Sequence, residues 1–183
     1  MKTPILKNKR VTLRPLVVLD APNYVKWFKD KRVMMYVEQA YYNISLVDER
    51  KYIKNIIKNK GKYSYAIMNE KKVHIGGCAI HVNKKNKSAR FGIIIGDKTQ
   101  WGKGYAGECL DLLMGLAFTK LKLNRFDLGV YGPNKNAIRA YEKAGLIFDG
   151  SLRQAHWNQF KKIFEDEIVM SILRSEYLKK KNN

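Results

Sequence analysis

The chain has 183 residues, 45% of them hydrophobic and 28% charged, and its 36 Lys and Arg against 16 Asp and Glu give a net charge of +20. Its length and apolar content fit one domain with its own core. No apolar run approaches the roughly 20 residues of a membrane span, no secretory signal is recognised, and Cys78 and Cys109 form neither a disulfide framework nor a metal-ligand spacing. We therefore expect a cytoplasmic protein without a metal, with one domain over residues 1–178 and a basic tail over 179–183.

Alternating apolar residues and turn residues predict the elements of the first half of the chain. A helix should begin at Asp20 and Pro22, and a second one behind Ser45, where Asp48 stands three residues on as in a capping box and Ile53 and Ile56 follow at helical spacing. The predicted strands of this half are Val11–Leu16, Tyr63–Met68, His74–Val82 and Ala89–Ile95.

The second half of the chain changes to helical spacing. A long amphipathic helix is predicted over Ala106–Leu121, and a shorter one that Asn134 caps and Gly145 ends. The predicted strands are Arg125–Val130, Leu146–Trp157 and Ile163–Leu173. The order of elements predicts an α/β (α+β) domain with a mixed, mostly antiparallel sheet of about seven strands and about four helices.

The sharpest local motif is the glycine-containing segment Trp101–Ala106, between a predicted strand and the long helix. Glycines let successive backbone N–H groups point into one concavity, and the helix that follows adds the positive end of its dipole. This arrangement predicts a pyrophosphate site. The segment is not a P-loop, because Lys103 is not followed by Ser or Thr. It is not a dinucleotide fingerprint either, because a hairpin meander precedes it.

Two segments together resemble the GNAT superfamily of acyl-CoA-dependent N-acetyltransferases. They are Trp101–Glu108 and Asn134–Leu146, and they depart from the usual pattern in having Trp101 and Leu146 where Gln or Arg and Phe are common. Val11–Leu16 and Met170–Tyr177 are similar to the branch of ribosomal-protein N-terminal (alanine) acetyltransferases and polyamine acetyltransferases. The resemblance implies a single-domain GNAT fold, acetyl-CoA as cosubstrate, and direct attack of an amine on the thioester.

The resemblance also implies roles for particular residues. Tyr141 would protonate the departing thiolate, and Glu38 would serve as general base, with a plain surface carboxylate as its alternative role. Asn134 would contact the pantetheine arm or simply cap its helix. The residues expected at the cofactor are Ile93, Ile94, Ile95, Trp101, Gly102, Lys103, Gly104, Tyr105, Ala106, Asn134, Asn136 and Lys143.

The acceptor amine is the open part of the functional prediction. The resemblance implies a protein N-terminus, of the ribosomal type, and a basic surface should also dock on an rRNA-rich particle and repel a polycation that lacks a local acidic pocket. Lysine runs such as Lys84–Lys87 suit an ordinary solvated surface equally well. The alternatives are a small amine, such as spermidine or an aminoglycoside, and a non-catalytic module that binds acyl-CoA or RNA. Monomer and dimer both remain open.

Overall fold

The computed structural model describes residues 3–37, 41–59 and 61–182. The strands are β1 (Leu6–Lys7), β2 (Thr12–Pro15), β3 (Lys62–Met68), β4 (His74–Asn83), β5 (Ser88–Ile95), β6 (Arg125–Tyr131), β7 (Ile147–Asn158) and β8 (Ile163–Leu173). The α-helices are α1 (Ala21–Phe28), α2 (Lys31–Met34), α3 (Leu46–Ile56), α4 (Tyr105–Gly115), α5 (Lys135–Ala144) and α6 (Arg174–Asn182). A π-helical turn over Leu116–Lys120 continues α4.

The strands of the described ranges form one sheet in the order β1-β2-β3-β4-β5-β6-β8-β7. Neighbours are antiparallel except for β5 and β6, which are parallel and are joined through α4. A parallel pair needs such a crossover, whereas the antiparallel neighbours need only turns or loops. The predicted mixed, mostly antiparallel α/β sheet is confirmed.

The described ranges hold eight strands and six α-helices, where about seven and about four were predicted. The extra elements are short or polar, so their periodicity is weak: β1 has two residues and α2 has four. Helix α6 reaches Asn182 and packs Tyr177 against Phe118, with ring centroids 5.0 Å apart. The division into a domain to residue 178 and a basic tail stays a prediction.

Local capping explains where the central helices begin and end. The Ser45 hydroxyl accepts from the Asp48 backbone N–H at 3.1 Å, as the predicted capping box requires. The Asn134 side chain accepts from the Ala137 N–H at 3.2 Å, and Gly145 ends α5 with φ +104°. Within the part of the chain described, no helix is long and apolar enough to cross a membrane.

Two apolar clusters lie beside the sheet. The larger one joins α4 and α5 to the strands and includes Leu110, Leu113 and Phe126. The smaller one joins α1, α2 and α3 and is built on Trp27 and Ile53, among others. Residues of both clusters line the candidate site described below.

Candidate active site

Strands β5 and β6 are paired over only part of their length. Their register joins Ser88 with Arg125, Ala89 with Phe126 and Arg90 with Asp127. Beyond these pairs β5 continues its ladder with β4, and β6 continues with β8. The two strands therefore part, and the gap opens main-chain edges into a cavity of about 1280 Å³. The cavity is lined on one side by Ile93, Ile94 and Ile95 and on the other by Leu128, Gly129, Val130 and Tyr131.

The three isoleucines of β5 face two different environments. Ile93 and Ile95 pack on the larger cluster, whereas Ile94 packs on the smaller one, as the alternation of a strand requires. The segment is thus fixed from both faces while its edge toward β6 is open. Such an edge can offer N–H and C=O groups to an amide-containing ligand, and the pantetheine arm is of that kind.

The glycine segment before α4 forms a concavity of the predicted kind. Gly102 and Gly104 have φ of +74° and +86°, where other residues are strained, and Gly104 is the N-cap of α4. A Cβ placed on Gly102, Gly104 or Gly107 meets no atom within 4 Å, so the space in front of the loop is open. The first-turn N–H groups of α4 have no partner inside the helix, and they suit a pyrophosphate in that space. The local geometry therefore fits CoA.

Arg10, in the turn between β1 and β2, contacts this loop through its guanidinium group. Its Nη2 donates to the Lys103 carbonyl oxygen at 2.8 Å, and its Nη1 lies 3.2 Å from a Glu108 carboxylate oxygen. The guanidinium also lies over the Tyr105 ring, 4.8 Å from its centroid, and the Tyr105 hydroxyl donates to Glu70 at 2.7 Å. Sequence reasoning missed Arg10, because its contacts cross more than ninety residues.

Trp101 and the two predicted lysines have different positions. The Trp101 indole N–H donates to the Ile95 carbonyl oxygen at 2.7 Å, so it ties the loop to the open edge of β5. Among the described residues Trp101, Gly102, Gly104, Tyr105, Ala106, Asn134 and Asn136 line the cavity. Lys103 and Lys143 are exposed and lie outside that lining. Their predicted cofactor contacts stay predictions.

Tyr141 lies on α5 and lines the same cavity as the open edge of β5. It is buried, and burial raises the pKa of its hydroxyl to about 12. The group is therefore protonated at neutral pH and can donate a proton. Glu38, the predicted general base, lies outside the described residues, and its role stays a prediction.

Glu49, a carboxyl residue missed from the sequence, lines the cavity. Glu49, Tyr52, Ile53 and Ile56 all line the cavity, and their spacing places them on one face of α3. Glu49 is 1% exposed, and burial raises the pKa of its carboxyl from the ordinary 4.5 to about 7. The sequence does hold a signal for this residue, because Glu49 lies one helical turn before Ile53 on the predicted apolar face.

Comparison with known proteins identifies the class that this fold and site define. Residues 10–147 match the acetyltransferase (GNAT) domain family. Because this match covers more than half of the chain, the chain belongs to the GNAT acetyltransferase family.

Particular relatives cover almost the whole chain. It is 30% identical to the spermidine N(1)-acetyltransferase of Vibrio cholerae, over 93% of this chain and 97% of the relative. It is 27% identical to the uncharacterized N-acetyltransferase p20 of Bacillus licheniformis, over 94% and 97% of the two chains. The crystal structure of the Vibrio cholerae spermidine N-acetyltransferase in complex with CoA and spermine superposes with a TM-score of 0.84, at 26% identity, over 93% and 99% of the two chains.

These relationships settle the broad activity. The chain is an acyltransferase, an N-acetyltransferase that takes its acetyl group from acetyl-CoA and passes it to an amine. The expectations of a GNAT fold and of acetyl-CoA as cosubstrate are confirmed. The finer assignment to the ribosomal-protein branch stays a prediction.

Proposed function

We propose that this acetyltransferase acts on the primary amine of a small molecule. The observation that carries the proposal is the continuity of one cavity from the parted strands and Tyr141 to the helical face of α3. A thioester laid along β5 would meet an amine held against α3 inside that cavity. The relatives whose substrate is known by name are spermidine acetyltransferases, and this supports a small amine as the acceptor.

Within this reaction the chain's own groups have separate tasks. The loop amides around Gly104 would hold the pyrophosphate, and the open edge at Ile93–Ile95 would hold the pantetheine arm. Tyr141 would give its hydroxyl proton to the leaving sulfur. A protonated thiol is a better leaving group than a free thiolate at neutral pH, and a positioned acid contributes about 10²–10⁴-fold.

A protein N-terminus of the ribosomal type is the second candidate acceptor. The net charge of +20 favours it, because such a surface attracts an rRNA-rich particle. A peptide must enter the same cavity with its first residue, whereas a small amine can enter whole.

Release of CoA thiol, measured against a panel of acceptors, tests the proposal. The panel contains 2-phenylethylamine, spermidine and a short peptide with a free N-terminal alanine, and mass spectrometry locates the acetyl group on each product. We expect turnover with at least one small amine and a loss of that turnover in Tyr141→Phe. Turnover with the peptide alone would assign the enzyme to protein N-termini and contradict the proposal.

A further inference from the structure

The cavity holds polar atoms that the fold leaves without partners. In the part of the chain that the structure describes, four buried side-chain polar atoms lack a hydrogen-bond partner: Glu49 Oε2, Ser64 Oγ, Tyr65 Oη and Arg174 Nε. The first three belong to residues that line the cavity. A buried polar atom left unpaired costs about 1–3 kcal/mol, so a turn of the Glu49 side chain toward a group in the cavity would recover that energy.

Glu49 and the open edge of β5 line the same cavity. The Tyr24 hydroxyl lies against Gly77, so closely that a Cβ there would overlap it, and Gly77 is the register partner of Ile94. Burial raises the pKa of Tyr24, and the charges of Cys78, Asp20 and Glu49 raise it further, which places Glu49 within electrostatic reach of that hydroxyl. Ile94 packs on the same cluster as Ile53, the residue one helical turn from Glu49, so Glu49 and the stretch of β5 where the thioester would lie border one cavity.

The wall around Glu49 is mainly aromatic and aliphatic. The Phe28 and Tyr41 rings lie 6.0 Å apart, and those of Tyr41 and Tyr52 lie 5.1 Å apart. Ile53 and Ile56 continue this wall on the helix of Glu49. A ligand that fits here has an apolar body beside its polar end.

The charges in the lining favour one ammonium group and disfavour several. Of the described residues that line the cavity, Glu49 and Glu167 are the acidic ones, and Glu167 is already bonded to Arg90 and lies 3.2 Å from His156. The cavity is also lined by Arg32, Lys62 and Arg139, which would repel a second ammonium.

We propose that Glu49 is the acceptor-binding carboxylate, which receives a single ammonium group on an apolar amine and takes its proton. This inference rests on the proposed function, and it names both the substrate class, a monoamine with an aromatic or aliphatic body, and the residue that selects it. A carboxylate that titrates close to neutral pH is suited to accept this proton.

Protons and electrons balance in the transfer of the acetyl group to the amine. The ammonium R–NH₃⁺ gives one proton to the Glu49 carboxylate, and the nitrogen lone pair of R–NH₂ attacks the thioester carbon. The C–N bond forms and the C–S bond breaks, and the thiolate takes the Tyr141 hydroxyl proton. The surplus proton of the new amide nitrogen restores Tyr141 through solvent, and Glu49 gives its proton to solvent. The products are the amide, the thiol and one released proton.

Glu49→Gln tests this assignment, with Asp111→Asn as the matched control, because Asp111 is an exposed carboxylate on α4 outside the cavity. We expect kcat/KM for 2-phenylethylamine to fall about 10²-fold or more in Glu49→Gln, within the range of a general base. KM for acetyl-CoA should stay within about twofold, and Asp111→Asn should match the wild type. Glu49→Asp, which keeps the charge on a shorter arm, should recover part of the loss.

The pH profile separates this chemistry from a structural role. In the wild type kcat/KM for the amine should rise through a limb near pH 7, and Glu49→Gln should lose that limb and keep the alkaline limb of the amine itself. The other titratable groups that line this side of the cavity are Tyr24 on α1, Arg32 on α2, Tyr41, Tyr52 on α3, Lys62 and Tyr65 on β3, and Cys78 and His81 on β4. A limb that survives in Glu49→Gln belongs to one of them and overturns the proposal.

Selectivity and binding complete the test. The wild type should prefer 2-phenylethylamine to spermidine by about tenfold or more, because a second ammonium stays unpaired in the cavity. Calorimetry with CoA present should show 2-phenylethylamine binding to the wild type and about tenfold weaker binding to Glu49→Gln. If the wild type acetylates small amines and Glu49→Gln does so equally well, the proposal fails while the proposed function stands. If the wild type acetylates no small amine, the proposed function itself fails.

Discussion

The two halves of the cavity differ in the kind of group that lines them, main chain in one and side chains in the other. In the proposed site the cofactor half would use main-chain groups, which are the loop around Gly104, the first turn of α4 and the open edge of β5. The acceptor half uses side chains of α1, α2 and α3, with the Glu49 carboxyl among aromatic and aliphatic groups. A main-chain site tolerates many side chains, whereas a side-chain site changes its ligand when one residue changes.

This contrast explains why the acetyl donor is easier to identify than the acceptor amine. A pyrophosphate cradle needs glycines at positive φ and a helix start, and both can be recognised in a sequence. The identity of the acceptor depends on which side chains α1, α2 and α3 present together. Substitutions in the two halves should therefore have separable effects, and the following predictions test that separation.

The largest effect is expected from Gly104→Asp in the cofactor half. The carboxylate would enter the open space before the loop and place a like charge beside the pyrophosphate, which should raise KM for acetyl-CoA about 10³-fold. Gly104→Asn is the matched control, since it has the same shape and a similar tolerance of the φ of +86° without the charge. Its KM should rise much less. Equal losses in both variants would show that shape, not charge, is excluded there.

Tyr141→Phe should lower kcat by about 10²–10³, because the leaving thiolate loses its proton donor. KM for acetyl-CoA should change little, since the ring keeps its packing. The deficit should shrink as pH rises, because a thiol pKa near 8.5 lets the thiolate leave unassisted. Steady-state rates between about pH 7 and about pH 9.5 measure this. A kcat equal to the wild type at neutral pH, with chemistry rate-limiting, would make Tyr141 a packing residue.

Glu49→Gln should stabilise the fold at high pH while it removes acceptor turnover. The pKa of Glu49 is raised to about 7 in the folded chain, so the folded state favours the neutral carboxyl. The destabilising contribution is absent below the unfolded pKa, grows as pH rises from about 4.5 and is complete above about 7. Urea unfolding should show the variant gaining about 2–3 kcal/mol on the wild type between pH 4 and pH 8. A difference that does not change with pH would mean that the carboxyl is solvated.

Arg10→Ala should have the smallest effect in this series. Arg10 binds the Lys103 carbonyl and Glu108 and covers Tyr105, so its loss should loosen the loop without touching the cofactor. We expect CoA affinity to fall about two- to fivefold, as for an exposed ion pair. Arg10→Lys should recover less than half of the loss, because an ammonium lacks the fork that reaches several partners at once. Unchanged CoA affinity in Arg10→Ala would show that the loop keeps its conformation without Arg10.

The sequence predicted the fold well, for a physical reason. Ser45 and Asn134 signal helix starts through bonds to N–H groups three residues away, and such local chemistry is visible in the chain. The glycine loop is likewise local, and Gly102 and Gly104 have the positive φ that such a loop needs.

The acceptor half was largely missed, because its properties arise from contacts between distant segments. Glu49 looks like an ordinary first-turn acid, which favours a low pKa through the helix dipole. Its burial comes from the packing of α3 on α1, and burial outweighs the dipole. Arg10 is missed for the same reason, since its partners Lys103 and Glu108 lie more than ninety residues away along the chain.

Calorimetric titration of CoA into the wild type, Glu49→Gln and Gly104→Asp tests the division between the two halves most directly. The account predicts that Glu49→Gln binds CoA within about twofold of the wild type, because its carboxyl serves the amine, and that Gly104→Asp loses measurable binding. Melting of each variant by circular dichroism confirms that it is folded. Comparable weakening of CoA in Glu49→Gln, or CoA affinity retained in Gly104→Asp, would contradict the division.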